Sequence, residues 1–148
     1  MGTHSPCRAT FFCLALPTSQ VPSYLEYQDK LKEAGIDKVI IYCVNDPAVM
    51  TAWAQDQGVE NCEVTNADGF VSFVADASGE FTAACGMEMT HEGPTGKGLL
   101  KRCKRFGMYV VDGVVKAVNV SEYEGDPAGD DYPELTLPPA MIKAIQEA

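Results

Sequence analysis

Six cysteines, Cys7, Cys13, Cys43, Cys62, Cys85 and Cys103, are the residues of this 148-residue chain best able to do covalent chemistry. Their gaps are wide and irregular and contain no C-x-x-C, which removes zinc ribbons, iron–sulfur runs and the two-cysteine redox motif. The only imidazoles, His4 and His91, lie in segments rich in loop-forming residues, and no carboxylate cluster has ligand spacing, so neither a metal nor another cofactor is expected. Lys97, Lys101, Arg102, Lys104 and Arg105 fall within nine positions of a chain that has 11 Lys and Arg in all. Most of that cluster reads as a solvated surface. Arg105 stands at the lip of a predicted strand, where a guanidinium can project into a site and stabilise a thiolate or a polarised oxygen. Cys103, flanked by four of these cations, is expected to be exposed, low in pKa and the most readily alkylated thiol. Cys13 and Cys43 sit in apolar runs, where a thiol stays protonated and inert. Thr18, Ser19 and Asp46 lie where strands hand over to helices, and read as helix caps rather than nucleophiles or bases.

Composition narrows the partners. With 21 Asp and Glu against 11 Lys and Arg, the formal net charge is -10, which repels phosphate and disfavours nucleic acid and anionic membranes as partners. Hydrophobic residues at 46% and charged residues at 22% are globular proportions, and no apolar run approaches the ~18 residues that span a bilayer. The length suits a single domain over residues 1–148, large enough to fold without disulfide staples. Reduced thiols in an intracellular protein are therefore expected, cytoplasmic, with an organelle as the alternative. Arg8 and the apolar run after it have the outline of a signal peptide, but the run is short and no small-x-small site follows, so a buried strand is the better reading.

The elements that must position these residues alternate. Ala9–Leu16 and Val39–Val44 read as buried strands and Val71–Ala75 as a third. Val21, Tyr24, Leu25, Tyr27, Leu31 and Ala34 form one stripe of a helix over Gln20–Ala34 that Gly35 stops. Asp46-Pro47 opens a helix closed by Gly58. Asp76-Ala77-Ser78-Gly79 caps a short helix, Glu80–Cys85, and Thr90–Gly98 reads as a loop. Phe106–Val111 and Val114–Val120 flank Asp112-Gly113, a hairpin signal. After an acidic loop, Glu122–Tyr132, Pro138-Pro139 starts a last helix. This order gives an α/β protein with helices on both faces of its sheet.

Four segments carry a family resemblance. Val44-Asn45-Asp46-Pro47-Ala48-Val49-Met50-Thr51-Ala52-Trp53 is similar to the "VNDPFVMxAW" of type-II (atypical, peroxiredoxin-5-like) peroxiredoxins of the redoxin family. Phe73–Thr82 resembles their "FLADxxGEFT", Lys104–Val120 their "KRFxMVVDDGVVKALNV", and Gln20–Tyr24 the "HLPGF" that opens their long helix. The resemblance implies a thioredoxin-like fold with a central mixed sheet. It also implies a thiol peroxidase that reduces hydrogen peroxide and alkyl hydroperoxides, with glutaredoxin or thioredoxin as reductant and with Arg105 against the reacting thiolate.

The chain departs from the pattern at its centre. Where the family has "LPGAFTPTCS", this chain runs Ala15-Leu16-Pro17 into Thr18-Ser19-Gln20, without the segment that carries the peroxidatic cysteine. Leu135–Pro138, the resolving-cysteine region, has no cysteine, and the strands the family places before Ala9 have no counterpart here. The expectation is a fold truncated at its N-terminus, a sheet edge that favours homodimers, and impaired peroxide turnover, with Cys13 as a surrogate thiol. The alternative is a non-catalytic thioredoxin-fold binding protein.

Overall fold

The β-branched and aromatic runs form strands, and the Gly and Pro punctuation falls between them. The computed structural model describes residues 20–59 and 69–148, together with the backbone of residues 8–13. Strands β1 (Arg8–Cys13), β2 (Lys38–Cys43), β3 (Val71–Ala75), β4 (Phe106–Val111) and β5 (Val114–Val120) make one sheet in the order β3-β2-β1-β4-β5. β1 pairs parallel with β2 and antiparallel with β4, so the sheet is mixed and β1 is central, as its apolar sequence predicts. The register puts Cys13 opposite both Tyr42 and Phe106. Chain leaving β1 therefore emerges at the end of the sheet where β2 finishes and β4 begins. Residues 14–16, expected to continue this strand, lie outside the described residues, as do Thr18 and Ser19.

The expected helix over Gln20–Ala34 is interrupted. It consists of α1 (Gln20–Glu26) and α2 (Gln28–Glu33), separated by Tyr27. There the Gln28 side-chain amide donates to the Leu25 carbonyl at 3.0 Å, a local bond that competes with the helix ladder. Helix α3 (Pro47–Asp56) follows the sequence reading: Asp46 accepts the Val49 amide at 3.0 Å and Pro47 occupies the first turn. Helix α4 (Glu80–Ala84) is short, and its cap is the Asp76 carboxylate, which accepts the Thr82 amide at 2.9 Å and the Thr82 hydroxyl at 2.8 Å. The segment Thr90–Gly98, expected to be a loop, contains helix α5 (Glu92–Gly96). Its Gly and Pro content hid that turn, and His91 caps it by accepting the Gly93 amide at 3.0 Å. The hairpin turns on Asp112 and Gly113, both at positive φ (51° and 77°), the geometry an Asp-Gly turn predicts. A 3₁₀ turn (Pro133–Thr136) precedes helix α6 (Pro138–Glu147).

The sheet divides the core in two. On one face Val39, Ile41, Cys43, Val71 and Phe73 pack against Tyr24, Leu31, Met50, Ala54, Met141 and Ile145 of the helices α1, α2, α3 and α6. Trp53 meets Phe73 edge-on at 5.1 Å. Each large apolar side chain fully buried here contributes about 1.5–3 kcal/mol. Tyr24 adds a polar tie, donating to the Thr136 carbonyl at 2.6 Å and so docking α1 onto the 3₁₀ turn. On the other face Tyr42, Phe106, Met108 and Val110 pack with Cys103, Cys85 and Met87. Phe81 of α4 sits edge-on to Tyr42 at 5.2 Å.

Candidate functional site

Arg105 immediately precedes β4, and its side chain is only 2% exposed. Its Nη2 donates to Asp130 Oδ1 at 2.7 Å, whereas its Nε is buried and has no hydrogen-bond partner among the described residues. Burial strips the guanidinium of hydration and pulls its pKa below the ordinary Arg value, while Asp130 and Asp126 push it back. A guanidinium remains charged through such a shift, so a buried cation stands here with one carboxylate in contact.

The Glu122–Tyr132 segment, read from sequence only as an acidic loop, brings that carboxylate into place. The Ser121 amide donates to the Arg105 carbonyl at 2.9 Å, which fixes the start of the loop beside the arginine. Asp126 then accepts the Asp130 and Asp131 amides at 3.0 and 2.8 Å. Burial opposes the Asp126 charge, but the amides of Asp131, Asp130 and Gly129 and the Arg105 cation outweigh it and hold the carboxyl below its usual range. Gly129 closes the loop at φ +72°, packed so tightly on the Ser121 carbonyl that a Cβ would overlap it.

A cavity of about 390 Å³ opens at the end of β2, lined by Cys43, Asn45, Met89, Arg102, Cys103 and Asp130 among others. Arg102 straps its rim, with Nη1 donating to the Val44 carbonyl at 3.3 Å and to Asn45 Oδ1 at 3.2 Å. Asp130 thus belongs both to the cavity wall and to the Arg105 ion pair.

The cysteines differ from the expectation. Cys103 is 5% exposed and disulfide-bonded, so it is neither an exposed nor a reactive thiol, and the cysteines are not all reduced. The cause is alternation. Residues 102–105 run extended, with Cys103 bridged to Glu88, so Cys103 and Arg105 turn inward while Arg102 and Lys104 turn outward. Lys104 pairs with Glu122 at 2.7 Å and Arg102 holds the rim, so both of these cations are engaged by other partners. Cys43 is buried, as its apolar run predicts, and is not disulfide-bonded. The Cys85 thiol is pushed up in pKa by burial and by the Asp76 charge, so it is a poor nucleophile. The backbone of Cys13 sits one register step from Arg105, through its pairing with Phe106, and its side chain lies outside the described residues. His4 lies outside them as well. His91 and Asp46 are caps. Among the described residues, no group of three His, Cys, Asp or Glu could hold a metal ion, and no helix is long and apolar enough to cross a membrane.

Asp126 and Asp130 escaped the sequence reading. The segment from Glu122 to Glu134 contains six acids, and nothing in their spacing tells which face inward. The one available signal was Gly129, three residues beyond Asp126, which marks a turn that folds the carboxylate back on its own backbone.

Comparisons with known proteins converge on one family. Residues 12–134 match the Redoxin family. The chain is 37% identical over 106 residues to mitochondrial Peroxiredoxin-2F of Arabidopsis thaliana, covering 72% of this chain and 47% of that protein. It is 36% identical over 111 residues to the hybrid peroxiredoxin hyPrx5 of Haemophilus influenzae, covering 74% of this chain and 41% of that protein. The chain thus spans about half the length of the curated relatives it matches. Among solved structures, reduced Prx3 from Vibrio vulnificus in complex with hydrogen peroxide superposes with a TM-score of 0.73 at 26% identity, covering 95% of this chain and 78% of that chain. The mixed sheet, the helices on both faces and these matches agree: the chain is a peroxiredoxin of the redoxin family with a thioredoxin-like fold.

Proposed function

We propose that this chain is a thiol-dependent peroxidase whose reaction centre lies at the Arg105 end of the sheet, and that its turnover is slow. The observation that carries the reading is a buried guanidinium at the mouth of β4, beside a cavity lined by Cys43 and one register step from Cys13. In such a site the cation lowers the cost of a thiolate and of the charge that develops as the O–O bond breaks. The thiolate attacks the hydroperoxide ROOH. A sulfur–oxygen bond forms, the O–O bond breaks, and the alkoxide or hydroxide that leaves takes a proton to become alcohol or water. The sulfenic acid is then reduced by two thiols of a glutaredoxin- or thioredoxin-type donor, releasing water and a disulfide. Cys13 is the surrogate thiol of this proposal, because β1 ends beside Arg105 and the chain has no cysteine between Cys13 and Cys43. Slow turnover follows from a thiol displaced from the usual cysteine loop. Homodimers are part of the same proposal, supported by exposed Val114, Val115 and Val118 on the edge strand β5, and sedimentation across a concentration series tests them.

The non-catalytic reading has its own support in the thiols themselves. Cys103 is held in a disulfide, and the Cys85 thiol is raised in pKa. Peroxide consumption by the pre-reduced chain, with dithiothreitol or glutaredoxin as donor, separates the two. The peroxidase reading expects turnover above the buffer blank but below about 1 per second, and a fall of about 10²–10³-fold in Arg105→Ala. Consumption no faster than the blank favours the binding protein.

A further inference from the structure

Helix α5 has few anchors. None of its residues is buried, and Gly93, Pro94 and Gly96 are poor helix formers. Hydrogen bonds therefore decide whether the turn holds. At its start His91 Nδ1 accepts the Gly93 amide at 3.0 Å, while the His91 carbonyl accepts the Thr95 amide at 3.2 Å and the Thr95 hydroxyl at 3.0 Å. The ring lies close on the backbone: a Cβ at residue 93 would stand 3.2 Å from Nδ1, a tight contact that glycine avoids. At its end the Lys97 and Leu99 amides both donate to the Pro94 carbonyl at 3.1 Å, and the Gly98 amide donates to the Thr95 carbonyl at 3.0 Å. The turn thus carries Pro94 and Leu99, which line the 390 Å³ cavity together with Met89 and Cys43. The cap also has a protonation requirement. A neutral imidazole offers one acceptor nitrogen, whereas an imidazolium offers none and would turn an N–H toward the Gly93 N–H. The cap is complete when the ring is neutral, and it is lost as pH falls and the ring gains its proton. The charged groups about the ring are Glu92 in its own turn, and Lys101 and Arg102 on the segment that runs antiparallel to residues 87–89. Among the described residues none of them forms an ion pair with His91, so no carboxylate holds a charged ring where the neutral one sits.

We propose that His91 is a pH-sensitive latch on the cavity. Its neutral ring holds α5 in place as part of the wall. Its protonation frees the turn, moves Pro94 and Leu99 away and opens the cavity toward Cys43. The inference goes beyond the peroxidase reading and does not depend on it.

The test is hydrogen exchange of the Lys97, Gly98 and Leu99 amides by NMR between pH 8 and pH 5, each rate divided by that of an unstructured peptide at the same pH. Protection in the unmodified chain is expected to fall about fivefold or more over this range, the loss of one cap. His91→Asn keeps a side-chain acceptor at every pH, so its protection is expected to change less than about twofold. His91→Ala has no acceptor and is expected to show the low protection throughout. Cavity opening is read separately, as labelling of Cys43 by a maleimide, mapped by mass spectrometry and expressed as a ratio to His91→Asn at the same pH, which cancels the titration of the thiol itself. That ratio is expected to rise about threefold or more from pH 8 to pH 5. Parallel protection profiles in the unmodified chain and His91→Asn would overturn the latch, and a fall in protection with no rise in Cys43 labelling would overturn its link to the cavity. If His91→Asn loses the native amide spectrum, His91→Asp takes its place with the same expectation. Neither measurement uses peroxide or a thiol donor, so the latch stands or falls independently of turnover.

Discussion

Asp76-Ala77-Ser78-Gly79 and Asp126-Pro127-Ala128-Gly129 are one four-residue device used twice. In each, the glycine sits in the left-handed region, at φ +74° and +72°, and donates its amide to the aspartate carbonyl, at 3.0 and 3.2 Å. In each, the aspartate carboxylate then accepts two downstream backbone amides, Phe81 and Thr82 in the first and Asp130 and Asp131 in the second. What differs is the surroundings. The first turn opens helix α4, and its carboxylate also takes the Thr82 hydroxyl at 2.8 Å, which frees the Thr82 oxygen to accept from Tyr42 at 3.3 Å. Its donors are all neutral and its glycine has room. The second opens no helix. It wedges its glycine against Ser121 and places Asp126 and Asp130 next to a buried cation. A turn that elsewhere only starts a helix here delivers charge to a candidate site.

The two glycines should separate most widely. At Gly79 an added Cβ meets nothing closer than Val44 Cγ1 at 3.7 Å, so Gly79→Ala should cost only the left-handed strain, about 1–2 kcal/mol. At Gly129 the same Cβ overlaps the Ser121 carbonyl, a backbone atom that cannot step aside. Gly129→Ala should therefore add an overpacking cost to the strain and reach about 3–4 kcal/mol. Urea denaturation of both variants reads the difference, and equal losses would break the comparison.

Removing the carboxylates should give a smaller gap. Asp76→Ala strips a helix cap and should cost about 1–2 kcal/mol. Asp126→Ala strips a buried acceptor from two amides at once and should cost about 3 kcal/mol. It should also release Asp130 from Arg105, seen as a shift of the Arg105 Nε–H resonance that Asp76→Ala does not produce.

The first of these turns was legible in the sequence and the second was not, and the reason is physical. Asp76-x-x-Gly79 stands between a strand-period run and a short apolar helix, so its neighbours announce what it does. Asp126-x-x-Gly129 stands among like charges with no periodic segment on either side. The fold was readable for the same reason: β3, β4, β5 and α3 lie where apolar runs, Asp-Gly and Asp-Pro place them. Helix α5 was hidden because Gly93, Pro94 and Gly96 argue against the helix they form. At the site, Arg105 was found from its position at a strand lip. Cys103 was misjudged because a run of cations in the sequence carries no sign of burial or of a disulfide, and Cys103 has both.

Acid sharpens the comparison next. Both carboxyls are held below their ordinary pKa, against burial, by hydrogen bonds, and Asp126 also by Arg105. A depressed carboxyl stabilises the fold fully above the unfolded value of about 3.9, and that stability is lost as pH falls through the folded value. The urea midpoint should thus fall between pH 4 and pH 2.5 in the unmodified chain. Asp76→Asn and Asp126→Asn should each flatten part of that fall. An unchanged acid slope in Asp126→Asn would show that the turn is not held by its charge.

The smallest effect should appear at a thiol. Burial raises the Cys85 pKa first, and the Asp76 charge raises it further. Asp76→Asn removes only the second cause, so the alkylation of Cys85 by iodoacetamide near pH 8 should rise, and its pH midpoint should move down. Loosening the α4 cap could mimic this by exposing the thiol. Thr82→Ala tells the two apart, because it removes the hydroxyl bond to Asp76 and keeps the charge. A change in charge moves the pH midpoint of the labelling rate, whereas a change in access scales the rate equally at every pH. Asp126→Asn should leave the midpoint where it is, since Asp126 is not among the groups that shift Cys85. A midpoint that moves in Asp126→Asn, or stays fixed in Asp76→Asn, would mean that the two turns do not act on separate sides of the molecule.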